Sequence, residues 1–499
     1  MQLARAGKSV IRERKERAEL TSSPFTYKYL FTHTRIPIHS GCERKLTAKD
    51  NSSNRSTPNG NMTSDGIREV YLKRELNLVQ TLLLGVGTAI GGVMFAIMGR
   101  AADAAGPSIV ITFLIGAFFA FLMGLSYAEL GSTVPSAAGG AIAFVGKAFG
   151  KKIPTFLAGW FSWVGSVTDC AIGSVVFAFS VNYFVRWIDP FVLAVITLIV
   201  FALINFRGTR SMGVAQFCLT AVLIFTLCFF IAGSSLNFSL DRFEPFFPSG
   251  ITPTLLMVSF IFPTYAGYES ITQLSEEVRT AGKTVPRALL LTLIVVTLLF
   301  TGTVVAMIGG APREVYINSS TPLQDAANYF MGPVGGAVVS IGAIVAALST
   351  INGAMAGGAR IAFALSRNDF LPSIFKKVHP RYRSPFTALA LTTLIAVLFV
   401  LTRGVDFIVY AITLGYSVTA IMVILALIRL RKTEPQLYRP FKVSLYPYVP
   451  IAAIIVLSFM ILTLSWESLV LGIAFGITGI VLLYAGRRIG GKRMHVSST

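Results

Sequence analysis

The stretch GVGTAIGGVMF, residues 85–95, sets four glycines inside an otherwise unbroken apolar run. Glycine is a poor helix former, so the stretch reads either as a close-packing seam between helices or as a place where a helix stops. The composition says what surrounds it. The 499-residue chain is 54% hydrophobic and 13% charged, with a mean hydropathy of +0.69, whereas soluble domains carry about 25% charged residues. The solvent for most of this chain is a lipid bilayer.

Working outward, apolar runs of span length lie near residues 78–99, 108–130, 155–184, 190–205, 214–233, 252–274, 286–309, 333–365, 386–402, 405–428, 448–465 and 468–486. A span needs about 20 apolar residues, so these runs predict an all-α membrane protein with about twelve transmembrane helices. Residues 1–75 are polar and hold no apolar stretch long enough for a signal peptide. They read as a disordered, basic, cytoplasmic segment, with Met62 an alternative translation start.

The net charge of +20 is distributed rather than clustered. Roughly a third of the Lys and Arg precede Leu76, and most others fall in alternate loops: 131–154, 206–213, 275–285, 366–385, 429–447 and the tail after Ala485. Positive charge collects on the cytoplasmic side of a membrane, which places both termini there, in a multi-pass protein of the cell membrane. The same distribution argues against a nucleic-acid partner.

A second interruption appears at FPTYAGYES, residues 262–270, where Pro263 and Gly267 sit inside the sixth run. Five spans separate it from the first, so the second half would enter the membrane inverted. Broken helices at matching positions of two inverted halves mark a transporter's binding site.

These segments resemble those of the amino acid/polyamine/organocation (APC) superfamily. GVGTAIGGVMF is similar to its first-span signature, roughly GxGxxIGxGxF. SYAELGSTVPSAAGGAIAFVGKAFG (126–150), AGYESITQLSEEVRTAGKTVPRALL (266–290) and GGARIAFALSRNDFLPSIFKKVHPRYRSP (357–385) resemble later family segments, in the right order. The resemblance covers about residues 70–485. It implies a LeuT-type fold: a first five-helix repeat (76–234), a second, inverted one (235–430), two additional helices (431–486) and a cytoplasmic tail (487–499). It also implies alternating access for amino acids or related organic amines, ion-coupled or by exchange. A channel or an amino-acid sensor on the same membrane fold is the alternative. The chain departs from the signature at Val93, where the family pattern has its last glycine.

The two breaks supply the candidate substrate-binding residues. At the first, Thr88, Ala89, Ile90, Gly91 and Gly92 would present backbone groups to a substrate carboxylate, helped by a half-helix dipole. At the second, Phe262, Pro263, Thr264, Tyr265 and Ala266 would line the site, with Tyr265 or Phe262 as an aromatic lid. Acids within spans are functional candidates, which singles out Asp169 and Glu269 for gating or coupling. Ser349 and Thr350 resemble part of a sodium site in relatives of this fold. The fifth run has no lysine of the kind that replaces sodium in some proton-coupled members. Coupling to Na+ or to H+ is therefore open.

Other chemistry lacks residues to carry it. No P-loop, Ser/His/Asp constellation or metal-ligand spacing occurs, so neither an enzyme, a metal nor a cofactor is expected. Cys42, Cys170, Cys218 and Cys228 show no paired spacing, and no histidine falls in an apolar run. Partners are the small-molecule substrate and the lipid bilayer, with a homo-oligomer left open.

Overall fold

The structure, a computed structural model, describes residues 76–134, 140–207, 212–273, 275, 277–382 and 384–494. The N-terminal segment with Met62 and residues 495–499 lie outside the described residues. Each apolar run carries at least one helix. The chain starts with α1 (Leu78–Ala89), α2 (Val93–Ala105) and α3 (Ile109–Thr133), and continues through α4 (Ala141–Phe149), α5 (Ile153–Asn182), α6 (Pro190–Phe206) and α7 (Met212–Ser234). Next come α8 (Ile251–Ile261), the short α9 (Ser270–Gln273), α10 (Ala281–Gly310), the single turn α11 (Arg313–Tyr316) and α12 (Pro322–Arg367). The last four are α13 (Phe386–Leu401), α14 (Val405–Thr433), α15 (Tyr448–Leu462) and α16 (Trp466–Met494). Among the described residues no strand forms beyond one isolated bridge, Leu76 to Val278.

Among the described residues, seven helical segments are long and apolar enough to cross a membrane: Val93–Thr133, Ile153–Asn182, Gln216–Ser234, Ala281–Gly310, Pro322–Arg367, Val405–Thr433 and Trp466–Tyr484. Leu78–Ala89, Pro190–Phe206, Phe386–Leu401 and Tyr448–Leu462 are apolar but shorter. On α6, Val192, Ile196, Ile199, Val200, Leu203 and Ile204 are exposed. An apolar face of that extent is a lipid-facing surface rather than a water-facing one.

Local sequence explains where helices start and bend. Asn77 caps α1 reciprocally with Gln80, each backbone N–H donating to the other's side chain at 3.0 and 2.9 Å. Asp189 accepts from Phe191 N–H and Val192 N–H, and Pro190 supplies the first turn of α6. The eighth run begins earlier than its apolar stretch: α12 starts at Pro322 and kinks at Gly332, whose φ of 69° is followed by Pro333. Only glycine takes that conformation without steric cost.

Two sets of helices share the core. The helix α5 packs against α12, α14, α6 and α13, while α10 packs against α3, α1 and α7. Gly415 makes the α5–α14 contact a backbone contact, because a Cβ there would lie 2.9 Å from Gly165 N and Phe161 O. Polar cross-links join the rest. Trp163 Nε1 donates to Thr392 Oγ1 (3.0 Å), Thr413 Oγ1 to Ser259 O (2.8 Å). At the end of α3, the fully buried Glu129 accepts from Arg431 Nε (2.8 Å) and Val443 N–H (2.7 Å), with Arg439 Nε at 3.4 Å. Arg431 also lies 4.1 Å from the Tyr446 ring centroid.

Removing one partner of a buried ion pair leaves the other uncompensated, at a cost of about 3–5 kcal/mol. Glu129→Gln is accordingly expected to lower the thermal unfolding midpoint of detergent-solubilised protein clearly. A midpoint equal to wild type would show that the cluster contributes nothing to stability.

Candidate binding site

The first helix stops inside its apolar run. α1 ends at Ala89, Ile90 leaves helical geometry with φ −78° and ψ 73°, and α2 resumes at Val93. The N–H groups around the stop have protein partners. Ile90 N–H donates to Val86 O (2.8 Å) and Gly91 N–H to Ala89 O (2.8 Å). Gly92 N–H donates across to Thr350 Oγ1 on α12 (3.1 Å), and that hydroxyl donates to Ala346 O (3.0 Å).

The four glycines divide the work. A Cβ on Gly85 would sit 2.4 Å from Ile271 Cδ1, and one on Gly87 would sit 1.9 Å from Thr220 Oγ1 on α7. These two make close helix contacts. Gly91 and Gly92 form the interruption itself. The opening alternatives of seam and stop are thus both realised, one turn apart.

The second interruption faces the first. α8 ends at Ile261, a 3-10 turn covers Phe262–Tyr265, Ala266 is extended, and Gly267 has φ 105°. Gly267 lies against the end of α1, where a Cβ would come within 2.4 Å of Thr88 O. Its N–H donates to Glu269 Oε2 (2.9 Å). The Thr88 hydroxyl ties the junction: it lies 3.1 Å from Gly267 O and 2.9 Å from Ser270 Oγ, and 3.0 Å from both Leu84 O and Gly85 O. Thr88 is also exposed, unlike its neighbours Ala89 and Ile90.

Each sequence-derived candidate therefore has a place. Thr88 and Ala89 complete the last turn of α1, so in this conformation their N–H groups, like that of Ile90, serve the helix. Thr88 contributes its hydroxyl instead. Phe262, Pro263, Thr264 and Tyr265 are buried, with Thr264 Oγ1 donating to Ile261 O (2.6 Å). The Tyr265 ring packs against Phe113 and Phe300 at 6.2 and 5.6 Å, and its hydroxyl donates to Phe113 O (2.8 Å). In this conformation that ring faces α3 as core. Ala266 borders the junction. Val93 is the first residue of α2 and is buried.

Asp169 and the two hydroxyls on α12 lie on separate helices around this junction. Asp169 Oδ2 accepts from Tyr416 OH (2.7 Å), joining α5 to α14. Ser349 and Thr350 meet different partners in this structure. Adjacent helical residues point about 100° apart, and while Thr350 meets Gly92, Ser349 Oγ donates to Gln216 Oε1 on α7 (3.2 Å). Glu269 holds Gly267 through its side chain, a hydrogen-bonding position beside the site. Among the described residues no group of three His, Cys, Asp or Glu could hold a metal ion.

Sequence reading passed over Gln216, Tyr416, Tyr268 and Ser270. Gln216 carried a signal, as the one amide within the fifth apolar run. Tyr268, whose hydroxyl donates to Ala120 O (3.1 Å), carried none. What the junction offers chemically is hydroxyls, helix-end carbonyls and two carboxyl groups within a protein interior, a set suited to hydrogen-bonding a small polar molecule.

Comparison with known proteins gives a family and several relatives. Residues 76–485 match the amino acid permease family. The chain is 25% identical to a branched-chain amino acid permease of Bacillus subtilis, over 83% of this chain and 93% of that protein. It is 28% identical to a methylthioribose transporter (83% and 94%) and 27% identical to a serine/threonine exchanger (84% and 98%) of the same organism.

Gly267 is the position where the junction is least tolerant. Gly267→Ala would combine a left-handed backbone with a contact of 2.4 Å to Thr88 O, strain of about 1–3 kcal/mol. The expected outcome is a lower unfolding midpoint together with loss of ligand-induced stabilisation. A variant that melts and responds to ligand like wild type would show that the two breaks do not depend on this contact.

Proposed function

The chain belongs to the amino acid permease family and is a multi-pass membrane protein, and we propose that it is a secondary transporter of amino acids or related organic amines working by alternating access. The observation that carries this reading is the meeting of two interrupted helices at Thr88 and Gly267. Backbone interruptions at membrane depth are tolerated only where protein or a cavity receives them, and in transporters they form the substrate site. Twelve crossings in a LeuT-type arrangement of two inverted five-helix repeats (76–234 and 235–430), two further helices (431–486) and a tail from 487 agree with breaks five spans apart. The proposed location is the cell membrane, with both termini cytoplasmic, as the loop charges favour.

In this reading the substrate lies at the junction, between Thr88, Gly91 and Gly92 on one side and Ala266 and the second turn on the other. Relatives named for branched-chain amino acids, for serine and threonine, and for methylthioribose support a small polar solute without choosing one. The helices α1, α2, α3, α8 and α10 would move against α5, α6, α12 and α13. Asp169, bonded to Tyr416 between these parts, is the proposed carrier of a coupling proton, and plain exchange is the uncoupled form of the same cycle. Sodium at Ser349 and Thr350 is the competing coupling. A channel or sensor on this fold would lack saturable counterflow.

The test is uptake by the reconstituted full chain across an amino acid panel, with sodium and pH gradients imposed separately. Saturable uptake with counterflow is the expected result. Asp169→Asn is expected to lower uptake driven by a pH gradient about tenfold, in the usual range of coupling energies, while leaving exchange in place. Ligand binding without any uptake would favour the sensor, and non-saturating flux the channel.

A further inference from the structure

Between α12 and α13 the chain holds large apolar side chains outward. Ile374 and Val378 are 50% and 42% exposed, in the 3-10 turn Ser373–Lys376 and just after it, beside Lys376 and Lys377. This connection is tied down rather than loose. Thr387 Oγ1, in the first turn of α13, donates to Ile374 O at 2.8 Å, and His379 N–H donates to Ser384 O at 2.9 Å. The Ser384 hydroxyl donates to Phe206 O at the end of α6 (2.8 Å). The His379 ring centroid lies 5.0 Å from those of both Phe206 and Tyr382.

The neighbours decide what the apolar side chains meet. On α13, Thr387, Leu394, Leu398 and Leu401 recur at helical spacing along one face, and the three leucines are exposed as lipid-facing residues are. The bond to Thr387 sets Ile374 at the end of that face. On the other side Phe370 packs on Phe156, with ring centroids 5.8 Å apart, which brings the start of α5 alongside. There Ile153 is 46% exposed and follows Lys151 and Lys152, both exposed. An apolar rim flanked by lysines thus runs from α5 to α13.

The charge on this rim is one-sided. Asp369 is the sole acid in residues 366–385, and Lys376 Nζ already bonds it at 2.7 Å. Among the described residues, Lys151, Lys152 and Lys377 have no carboxylate within ion-pair reach. The N-terminal segment of the chain is net positive, as a second copy of this rim would be, so neither complements it. Anionic headgroups at a membrane surface do: lysines attract them while neighbouring apolar side chains enter the acyl boundary.

We propose that Lys151, Lys152 and Lys377, around Ile153, Ile374 and Val378, form a binding site for the headgroups of anionic phospholipids. The apolar side chains seat the connection in the bilayer interface, and the ammonium groups hold phosphate oxygens. The site belongs wholly to α5, α6, α12 and α13, so a lipid bound there anchors the set of helices against which the others are proposed to move. The inference goes beyond the transport reading and needs only a multi-pass membrane protein.

Two measurements on the full chain test it. The first is native mass spectrometry of detergent-purified protein with added phosphatidylglycerol or phosphatidylcholine. Wild type is expected to retain phosphatidylglycerol preferentially. A lysine near the surface contributes about a fivefold preference for anionic lipid. Combining Lys151→Gln, Lys152→Gln and Lys377→Gln is expected to lower the preference by at least about fivefold. Combining Lys432→Gln and Lys442→Gln, exposed lysines of the 429–447 connection, is expected to leave it as in wild type. The second is a spin label on Ile374→Cys in vesicles, with the native cysteines replaced by alanine. It is expected to be more accessible to oxygen dissolved in the bilayer than to a water-soluble nickel chelate, and a label on Lys442→Cys the reverse. Thermal melts check folding, and if the combined Lys151, Lys152 and Lys377 variant is not recovered folded, Lys377→Gln alone and the spin label decide. Equal retention of the two lipids by wild type, an unchanged preference in the combined variant, or an equal loss in the Lys432 and Lys442 variant overturns the site. A label at 374 that meets the nickel chelate first overturns it as well. Glycerol phosphate that displaces the bound lipid shows a site for free phosphate instead, and also overturns it. No readout involves the transported solute, so failure of the transport reading leaves this test unaffected.

Discussion

Backbone N–H and C=O groups at membrane depth have no water to turn to, and each one left without a partner costs several kcal/mol. A helix that stops inside its apolar run must therefore bring its own partners, and the architecture around residues 89–93 and 261–270 is arranged for that. Gly92 N–H reaches Thr350 on α12, Gly267 N–H reaches Glu269, and the Thr88 hydroxyl lies against Gly267 O. Tyr265 and Tyr268 anchor the second interruption to carbonyls of α3. The breaks are consequently not loose. Each is held from two or three directions, which leaves only a few polar groups, Thr88 foremost, facing outward. On the transport reading, a ligand there would meet a preformed set of hydrogen-bonding groups.

How much of this could be read from the chain alone depends on whether a residue's role is local. The helices were legible because hydrophobicity and length are local properties, and each apolar run from 78 to 486 carries at least one helix. The interruptions at GVGTAIGG and FPTYAGYES were legible because Gly and Pro disfavour helix wherever they occur. The partners were not. Nothing in Thr350 itself says that it receives Gly92 N–H rather than a cation, and nothing in Tyr265 distinguishes an aromatic facing a substrate from one packed on Phe113 and Phe300. Gly85 and Gly87 look like Gly91 and Gly92, yet the first two accommodate Ile271 and Thr220 while the others form the break. Side-chain identity alone does not carry that distinction; it arises from which helix happens to lie opposite. The start of α12 at Pro322, ahead of its apolar stretch, is the same lesson at a helix end, since Gln324 is buried there with its amide on Ser180 Oγ.

The ties between the two sets of helices differ in strength, and the difference bears on motion. α14 touches both. Its middle is bound to α5 through Gly415 and the Tyr416–Asp169 bond, and its C-terminal end is bound to α3 through the buried Glu129 cluster. At its other end the tie to α2 is Arg100–Asp406, 2.6 Å apart but with side chains 66% and 38% exposed. Exposed pairs of this kind contribute about 0–1 kcal/mol, whereas breaking a buried carboxylate–guanidinium pair costs several times more. The pair Asp103–Arg313, which links the end of α2 to α11, is exposed as well. Separating α2 from α14 at the Arg100 end therefore costs little, while separating α3 from α14 at the Glu129 end costs several times more. The asymmetry follows from burial alone, because the same chemical groups, arginine and carboxylate, form both ties. It makes the tie around Arg431 the costlier of the two to break and the tie around Asp406 the cheaper.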